Sequence, residues 1–136
     1  MPVTLETVIL ECRDMEELVS FYSSFLGWPV VYRDPEFTRL QSTDSPTGIA
    51  VQYAADYLPP VWPSAPGKQQ MMAHLDFGVD REHLRETLDK VLGLGARIAP
   101  AQYGGDEWIT LLDPAGHPFC LLIWDEREMT PHEPAI

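Results

Sequence analysis

The side chains best suited to chemistry in this 136-residue chain are an imidazole and a carboxylate two positions apart, at His74 and Asp76. They fall within residues 71–79, a mostly apolar run that predicts a strand, and alternate residues of a strand share one face. An imidazole there can hydrogen-bond a ligand or act as a general acid or base near neutral pH, with the carboxylate to orient it. Two alternatives stay open: His74 as a core histidine without a chemical role, and Asp76 as a solvent-facing carboxylate.

Cys120 lies in a second apolar run, residues 119–124, where Leu122 and Trp124 share its face. As a thiolate it can bind zinc, although one histidine and one cysteine are fewer than the three or four protein ligands that a stable site needs. The competing interpretation is a small, buried, apolar side chain.

The first half of the chain is repeated in the second. Residues 7–14 lead from a predicted strand into a helix that ends at a Leu-Gly pair, and residues 74–80 do the same about 67 positions later. The repeat sets Thr7 against His74 and Gln52 against Cys120. We therefore expect these four strand positions to converge on one cleft, where a small molecule would bind.

Glu11 shares the face of Thr7 on the first predicted strand, as Asp76 shares that of His74. If both carboxylates line the cleft, they favour a cationic or hydrogen-bond-donating ligand over an anion. Large aromatic side chains, among them Trp62 and Trp108, are candidates for the apolar walls of the same pocket. The alternative for most of these aromatic residues is ordinary core packing.

Each half is predicted to be one βαβββ module, which makes the fold class α+β. The chain is then a single domain over residues 1–136, with two pseudo-symmetric modules forming a curved sheet around the cleft. The predicted boundaries are 3–55 for module 1, 56–69 for a linker, 70–125 for module 2 and 126–136 for a tail. Prolines mark the linker, and its Trp62 is either a plug packed on the core or a cover over the cleft.

Composition excludes several classes of function. The formal net charge of −12 argues against nucleic acid, which is bound by clustered Lys and Arg. No run of 18 apolar residues and no signal peptide is present in the sequence, so we expect no membrane association. The two cysteines lack metal-knuckle spacing and, without a secretion signal, predict free thiols in a cytoplasmic protein.

Three stretches resemble the vicinal-oxygen-chelate superfamily, which comprises glyoxalase I, bleomycin-resistance proteins and extradiol dioxygenases. They are residues 12–28, residues 74–80 and the stretch 113–121 that begins with Asp113-Pro114-Ala115-Gly116. Trp62-Pro63 ahead of Gln69-Gln70 is similar to a glyoxalase-like subgroup, and the resemblance extends over residues 4–124. It implies paired βαβββ modules and a homodimer, with exchange of modules between chains as one form of it.

In the metal-dependent members of that superfamily the ligands stand at the equivalents of Thr7, Gln52, His74 and Cys120, usually as His and Glu. Only His74 keeps a conventional ligand type here, because a hydroxyl and an amide oxygen bind divalent ions weakly on their own. The resemblance therefore predicts a small-molecule-binding protein of the glyoxalase/bleomycin-resistance type without cofactor or metal. If a metal were bound (Zn, Ni, Mn or Fe), His74 and Cys120 would be its ligands.

The alternative function is an enzyme. It would be a lyase, an isomerase or a dioxygenase-like protein that uses His74 as acid or base, or as a ligand of an atypical metal site. A third class, a dimeric module that serves protein partners, has no sequence feature in its favour.

Overall fold

Apolar residues at strand and helix spacing produce the same succession of elements twice. The computed structural model describes residues 3–125, and the predicted tail, residues 126–136, lies outside the described residues. Module 1 comprises β1 (Thr7–Cys12), α1 (Met15–Leu26), β2 (Val30–Asp34), β3 (Phe37–Gln41) and β4 (Gly48–Tyr53). Module 2 comprises β5 (Leu75–Asp80), α2 (Leu84–Gly93), β6 (Arg97–Ile98), β7 (Trp108–Leu112) and β8 (Pro118–Trp124). The predicted α+β class and the two βαβββ modules are confirmed.

Each module builds its own four-stranded sheet. The strand orders are β1-β4-β3-β2 and β5-β8-β7-β6, with β1 parallel to β4, β5 parallel to β8, and the other pairs antiparallel. Within residues 3–125 no strand pairing joins the two sheets, so β1 and β5 each have one unpaired edge. The sheets therefore meet through side chains alone.

Helix α1 begins and ends at residues whose chemistry suits those positions. The Asp14 side chain accepts a hydrogen bond from the backbone N–H of Glu17 at 3.1 Å, as an N-cap does. Gly27 follows the last turn with φ of 69°, a left-handed conformation that glycine adopts without strain, and its N–H donates to the Ser23 carbonyl. The predicted helix limits are thus set by local sequence.

The core lies between the two helices and both sheets. An aromatic cluster crosses from module 1 to module 2, since Phe25 packs on Phe77 of β5 with ring centroids 5.1 Å apart and Phe21 packs on Phe119 of β8 at 5.9 Å. Aromatic pairs at these separations contribute beyond the area that they bury. Because this packing uses one face of each sheet, the opposite face is left for other contacts.

A buried polar contact also joins the modules. Asp113, in the turn between β7 and β8, is fully buried and accepts a hydrogen bond from the hydroxyl of Tyr22 on α1 at 2.6 Å. Its other carboxylate oxygen accepts from the backbone N–H groups of Ala115 and His117 at 2.9 and 3.0 Å. The carboxylate therefore fixes its own turn and holds α1 against module 2.

The largest difference from the predicted elements is at the start of module 2. The predicted strand at 71–79 begins only at Leu75, because a tight turn precedes it: the Ala73 N–H donates to the Met71 carbonyl, and Met72 has φ of 62°. His74 consequently stands just before β5, still on the side of the sheet to which Asp76 points. Residues 56–69 contain no helix or strand.

Candidate functional site

The face of the second sheet that points away from the core forms the floor of a cavity of about 300 Å³. In the register of β5 with β8, Asp76 is paired with Cys120, and Thr110 of β7 is paired with Cys120 on its other side. His74 completes this polar end, with its Nε2 3.3 Å from Oδ1 of Asp76. We call this space the ring-walled cavity; it is lined by Trp62, His74, Asp76, Tyr103, Trp108, Thr110, Cys120 and Leu122.

Three aromatic side chains from three segments form its walls. Trp108 comes from β7, Trp62 from the linker and Tyr103 from the loop between β6 and β7. The rings of Trp62 and Tyr103 meet edge to face, with centroids 5.8 Å apart and planes at 64°. Trp62 lines the cavity and does not belong to the core cluster, an arrangement compatible with the predicted cover.

Hydrogen bonds from a single glutamine hold the loop that carries Tyr103. The Gln102 side chain donates to the carbonyls of Ala99 and Thr110 at 3.0 and 2.7 Å and accepts from the Thr110 N–H at 2.9 Å, as a neighbouring strand would. The indole N–H of Trp62 donates to the Ala101 carbonyl of the same loop at 2.8 Å. The loop between β6 and β7 therefore holds both Trp62 and Tyr103 in place.

Close packing at Gly104 keeps this loop against the cavity wall. A Cβ atom there would stand 2.6 Å from ring atoms of Trp108 and 2.3 Å from its carbonyl oxygen. Any side chain at this position would force the loop away from β7, so the glycine allows Tyr103 to stand beside Trp108.

The thiol at the polar end is protonated rather than ionised. Burial raises the pKa of Cys120; its hydrogen bond with Thr110, at 3.4 Å, opposes the rise, and the nearby carboxylate of Asp76 reinforces it. A protonated thiol is a weak nucleophile, which argues against covalent catalysis by Cys120 in the metal-free chain.

The polar end also offers a divalent ion more ligand atoms than the two that the sequence predicted. Ligand atoms of His74, Asp76 and Cys120 lie within 4.8 Å of one another. One nitrogen, one oxygen and one sulfur donor, with a further position open, is a set that zinc accepts in catalytic sites. Asp76 is thus the third donor that was missing from the predicted pair of His74 and Cys120.

Three of the predicted pocket residues, Thr7, Gln52 and Glu11, do not line this cavity. Thr7 and Gln52 belong to the first sheet and line neither the ring-walled cavity nor the neighbouring one, so the expected convergence of four strand positions is wrong. The strand registers give the reason. Thr7 is paired with Gly48, and Gln52 is paired with Glu11, four residues further along, which separates the two positions by about 13 Å.

The same registers correct the repeat alignment. Cys120 is paired with Asp76, so a module 1 counterpart of Cys120 at Gln52 would make Glu11 the counterpart of Asp76 and Ile9 that of His74. Matching Thr7 to His74 and Gln52 to Cys120 together is therefore inconsistent by two residues. Sequence spacing alone hid this shift, because the loops of the two modules differ in length.

Glu11 lines a second cavity, of about 540 Å³, between β1, the linker and the strap of residues 69–73. His74 stands between the two cavities and lines both. The backbone carbonyl of Glu11 is 2.7 Å from Nε2 of His117, a further contact between the modules. Glu11 and Asp76 therefore do not share one cavity, contrary to the prediction of a cleft with two carboxylates.

Comparison with known proteins now identifies the family. A model of the glyoxalase-like domain matches residues 7–122, which is most of the chain. The chain belongs to the glyoxalase-like family. Together with the fold, this confirms the predicted place in the vicinal-oxygen-chelate superfamily. The chain has no match among curated proteins.

Solved structures agree with this glyoxalase-like fold. The fosfomycin resistance protein FosX from Listeria monocytogenes superposes with a TM-score of 0.68 at 16% identity, over 96% of this chain and 100% of that one. A glyoxalase/bleomycin resistance protein/dioxygenase family enzyme from Burkholderia phytofirmans PsJN gives 0.68 at 19%, over 89% and 98%. A mutant of Listeria FosX in complex with Mn(II) and 1S,2S-dihydroxypropylphosphonic acid gives 0.68 at 16%, over 90% of each chain. At these identities the likeness concerns the fold alone.

Three features of the site lay beyond sequence reasoning or were reached only in part. Thr110 could have been found by alternation, since it shares a face with Trp108 on β7. No sequence pattern points to Gln102 or Gly104, because their roles depend on the path of a loop.

Across residues 3–125 no helix is long and apolar enough to cross a membrane.

Proposed function

We propose that this glyoxalase-like protein binds a small organic molecule in the ring-walled cavity, using its own side chains without a metal. The observation that supports this most directly is the composition of the cavity: three aromatic rings and Leu122 on its walls, with polar groups gathered at one end. Apolar walls with a few convergent polar groups are typical of ligand pockets, and about 300 Å³ is at the small end of their range.

The arrangement gives the ligand a defined orientation. An apolar or planar part would lie against Trp62, Tyr103 and Trp108, and a polar group would point to His74 and Asp76. His74 is a third exposed and Asp76 nearly half exposed in their side chains, so both are accessible to a bound molecule. Burial of the apolar part supplies affinity, and the hydrogen bonds at the polar end supply orientation.

A thermal-shift and saturation-transfer NMR screen tests this proposal. Chelator-treated protein is exposed to a library of small neutral, cationic and anionic molecules, and hits are repeated on Trp62→Ala and Trp108→Ala. We expect ligands whose affinity falls about tenfold or more in either variant, because each indole contributes wall area.

Tyr53→Ala provides the matched control, since Tyr53 is an exposed aromatic residue of the first sheet outside this cavity. Ligands that bind the Tyr53 variant as well as the wild type support the proposal. A screen without hits, or hits indifferent to both tryptophan replacements, would contradict it.

A second candidate function is catalysis, favoured by the convergence of His74, Asp76 and Cys120. Without metal, the His74–Asp76 pair is arranged for general acid–base work of the kind a lyase or isomerase needs. With a divalent ion held by the three donors, the ion would supply Lewis acidity or an activated water at the same end of the cavity. In either case the aromatic walls position the substrate.

Elemental analysis of protein purified without chelator separates the candidates. One equivalent of zinc, nickel, manganese or iron that is lost on Asp76→Asn would overturn the metal-free proposal in favour of the enzyme. If no metal is found, any turnover that His74→Gln abolishes while ligand affinity stays within about threefold indicates acid–base catalysis instead of binding alone.

We also propose that the protein is a homodimer in the cytoplasm. The unpaired edges of β1 and β5 and the exposed apolar side chain of Ile9 on β1 are surfaces that a second copy can cover. Light scattering after size-exclusion chromatography tests this assembly. A mass near twice 15.4 kDa supports it, and a monomer at micromolar concentration contradicts it.

A further inference from the structure

The ring-walled cavity has an electrostatic character that identifies a ligand class. Among residues 3–125, Asp76 is the only carboxylate that lines it, and neither a lysine nor an arginine of that range does. The other titratable groups that the described residues contribute to the lining are His74, Tyr103 and the Cys120 thiol. The cavity therefore presents negative charge and no permanent positive charge to a ligand.

The aromatic walls of the cavity also favour a positively charged ligand. The faces of Trp and Tyr rings carry negative electrostatic potential, and three such rings around one space attract a cation, most strongly when its ammonium is substituted and weakly hydrated. Trp62 and Tyr103, held edge to face, and Trp108 on β7 surround the space next to Asp76. An anionic ligand would meet the repulsion of both the carboxylate and the rings.

We propose that the ligand of the cavity is a small organic cation, an alkylated ammonium whose charged head lies among Trp62, Tyr103 and Trp108 with Asp76 as its counter-ion. This rests on the proposed function and adds the ligand class to it. A phosphonate, which the Listeria FosX mutant structure contains with Mn(II), carries the opposite charge and is not expected to bind the metal-free cavity.

His74 is compatible with this ligand. Its Nε2 lies 3.3 Å from Oδ1 of Asp76, so an ammonium paired with that carboxylate would also lie beside the imidazole ring.

Calorimetry with three probes of nearly equal shape tests the charge preference on chelator-treated protein. The probes are choline, its neutral isostere 3,3-dimethylbutan-1-ol, and the anion 3,3-dimethylbutanoate. We expect choline to bind at least about tenfold more tightly than the neutral isostere, and the anion to bind most weakly.

Two replacements locate the origin of the preference. Trp108→Leu keeps an apolar wall but removes the ring, so choline should lose affinity while the neutral isostere changes little; Tyr103→Leu, at an exposed loop position, serves if the tryptophan variant does not fold. Asp76→Asn should reduce the ratio of the two affinities. The control is Asp89→Asn, an exposed carboxylate on α2 paired with Arg85.

The outcomes separate this inference from the proposed function. Equal binding of choline and its neutral isostere, both lost in Trp108→Ala, overturns the cation assignment and leaves small-molecule binding intact. Preference for the anion also overturns it. No binding of any probe at millimolar concentration overturns the cation assignment as well, while the library screen decides the proposed function independently.

Discussion

At the residue scale, alternation along a strand was enough to find the polar end of the site. His74 and Asp76 were predicted to point to the same side of the sheet, and the structure places Nε2 of His74 3.3 Å from Oδ1 of Asp76. Cys120 of β8 is paired with Asp76 of β5. What alternation could not give is which residue of another strand lies opposite, because register depends on loop lengths and on packing. Thr7 and Gln52 were misplaced for that reason.

The state of the two thiols yields a prediction at this scale. Burial, then the charge of Asp14, raises the pKa of Cys12 to about 11, and burial also raises that of Cys120. We expect both cysteines of the folded, chelator-treated protein to react with a disulfide reagent at pH 8 about a hundredfold more slowly than a free thiol. In guanidinium the count should rise to the full two per chain.

Cys12→Ala serves to assign any residual reaction. If the remaining thiol at position 120 reacts rapidly in the folded variant, then Cys120 is a thiolate, and its description as a neutral polar group of the cavity is wrong.

At the element scale, helices and strands were predictable where their signals are local, as with α1 between Asp14 and Gly27. The start of β5 was not predictable, since the turn at 71–73 contains no proline or glycine that would indicate a turn. The loop that carries Tyr103 was also beyond prediction. Its shape depends on the Gln102 side chain, whose amide hydrogen-bonds both the carbonyl and the N–H of Thr110, eight positions along the chain.

The N-cap of α1 gives the prediction for this scale. Asp14→Ala removes the acceptor for the Glu17 N–H, and we expect the free energy of unfolding to fall by about 1 kcal/mol in urea titrations. Asp14→Ser keeps a capping oxygen and should recover most of that loss. Equal losses in the two variants would mean that the cap contributes nothing to stability.

At the scale of the whole molecule, two separate sheets are held together by an aromatic cluster and by the contact of Tyr22 with Asp113. The repeat predicted two modules correctly. It could not predict how they pack, because the residues that join them, such as Phe25 and Phe77, are ordinary core residues in the sequence. Their pairing appears only when both modules are folded.

Tyr22→Phe tests the polar contact between the modules. The change leaves the buried carboxylate of Asp113 with one donor fewer, and we expect the free energy of unfolding to fall by about 1–3 kcal/mol. Tyr32→Phe is the matched control, because its hydroxyl bonds an exposed carboxylate, Asp34. A loss in the Tyr32 variant as large as in the Tyr22 variant would contradict a special role for the buried pair.

The pH dependence of stability gives a further prediction for Asp113. Burial raises its pKa above the ordinary value of 3.8, against the opposing effects of His117 and Tyr22. The folded state therefore holds this proton more tightly than the unfolded state, and stability falls as the pH rises from about 3.8 through the raised value.

Asp113→Asn, which cannot ionise, isolates this contribution from those of the other carboxylates. We expect the unfolding free energy of the wild type, relative to the variant, to decrease between pH 4 and pH 7 in urea titrations. An increase over that range would show that the native fold favours the ionised carboxylate.

The indole that roofs the cavity belongs to the segment joining the two modules, and it is anchored to a loop carbonyl through its N–H. This wall of the cavity therefore comes from a segment that contributes no strand to either sheet. Replacements among the exposed residues 63–68 can alter the approach to the cavity while both sheets and the core remain as they are. This separation makes residues 63–68 the segment in which the approach to the cavity can be varied at little cost in folding.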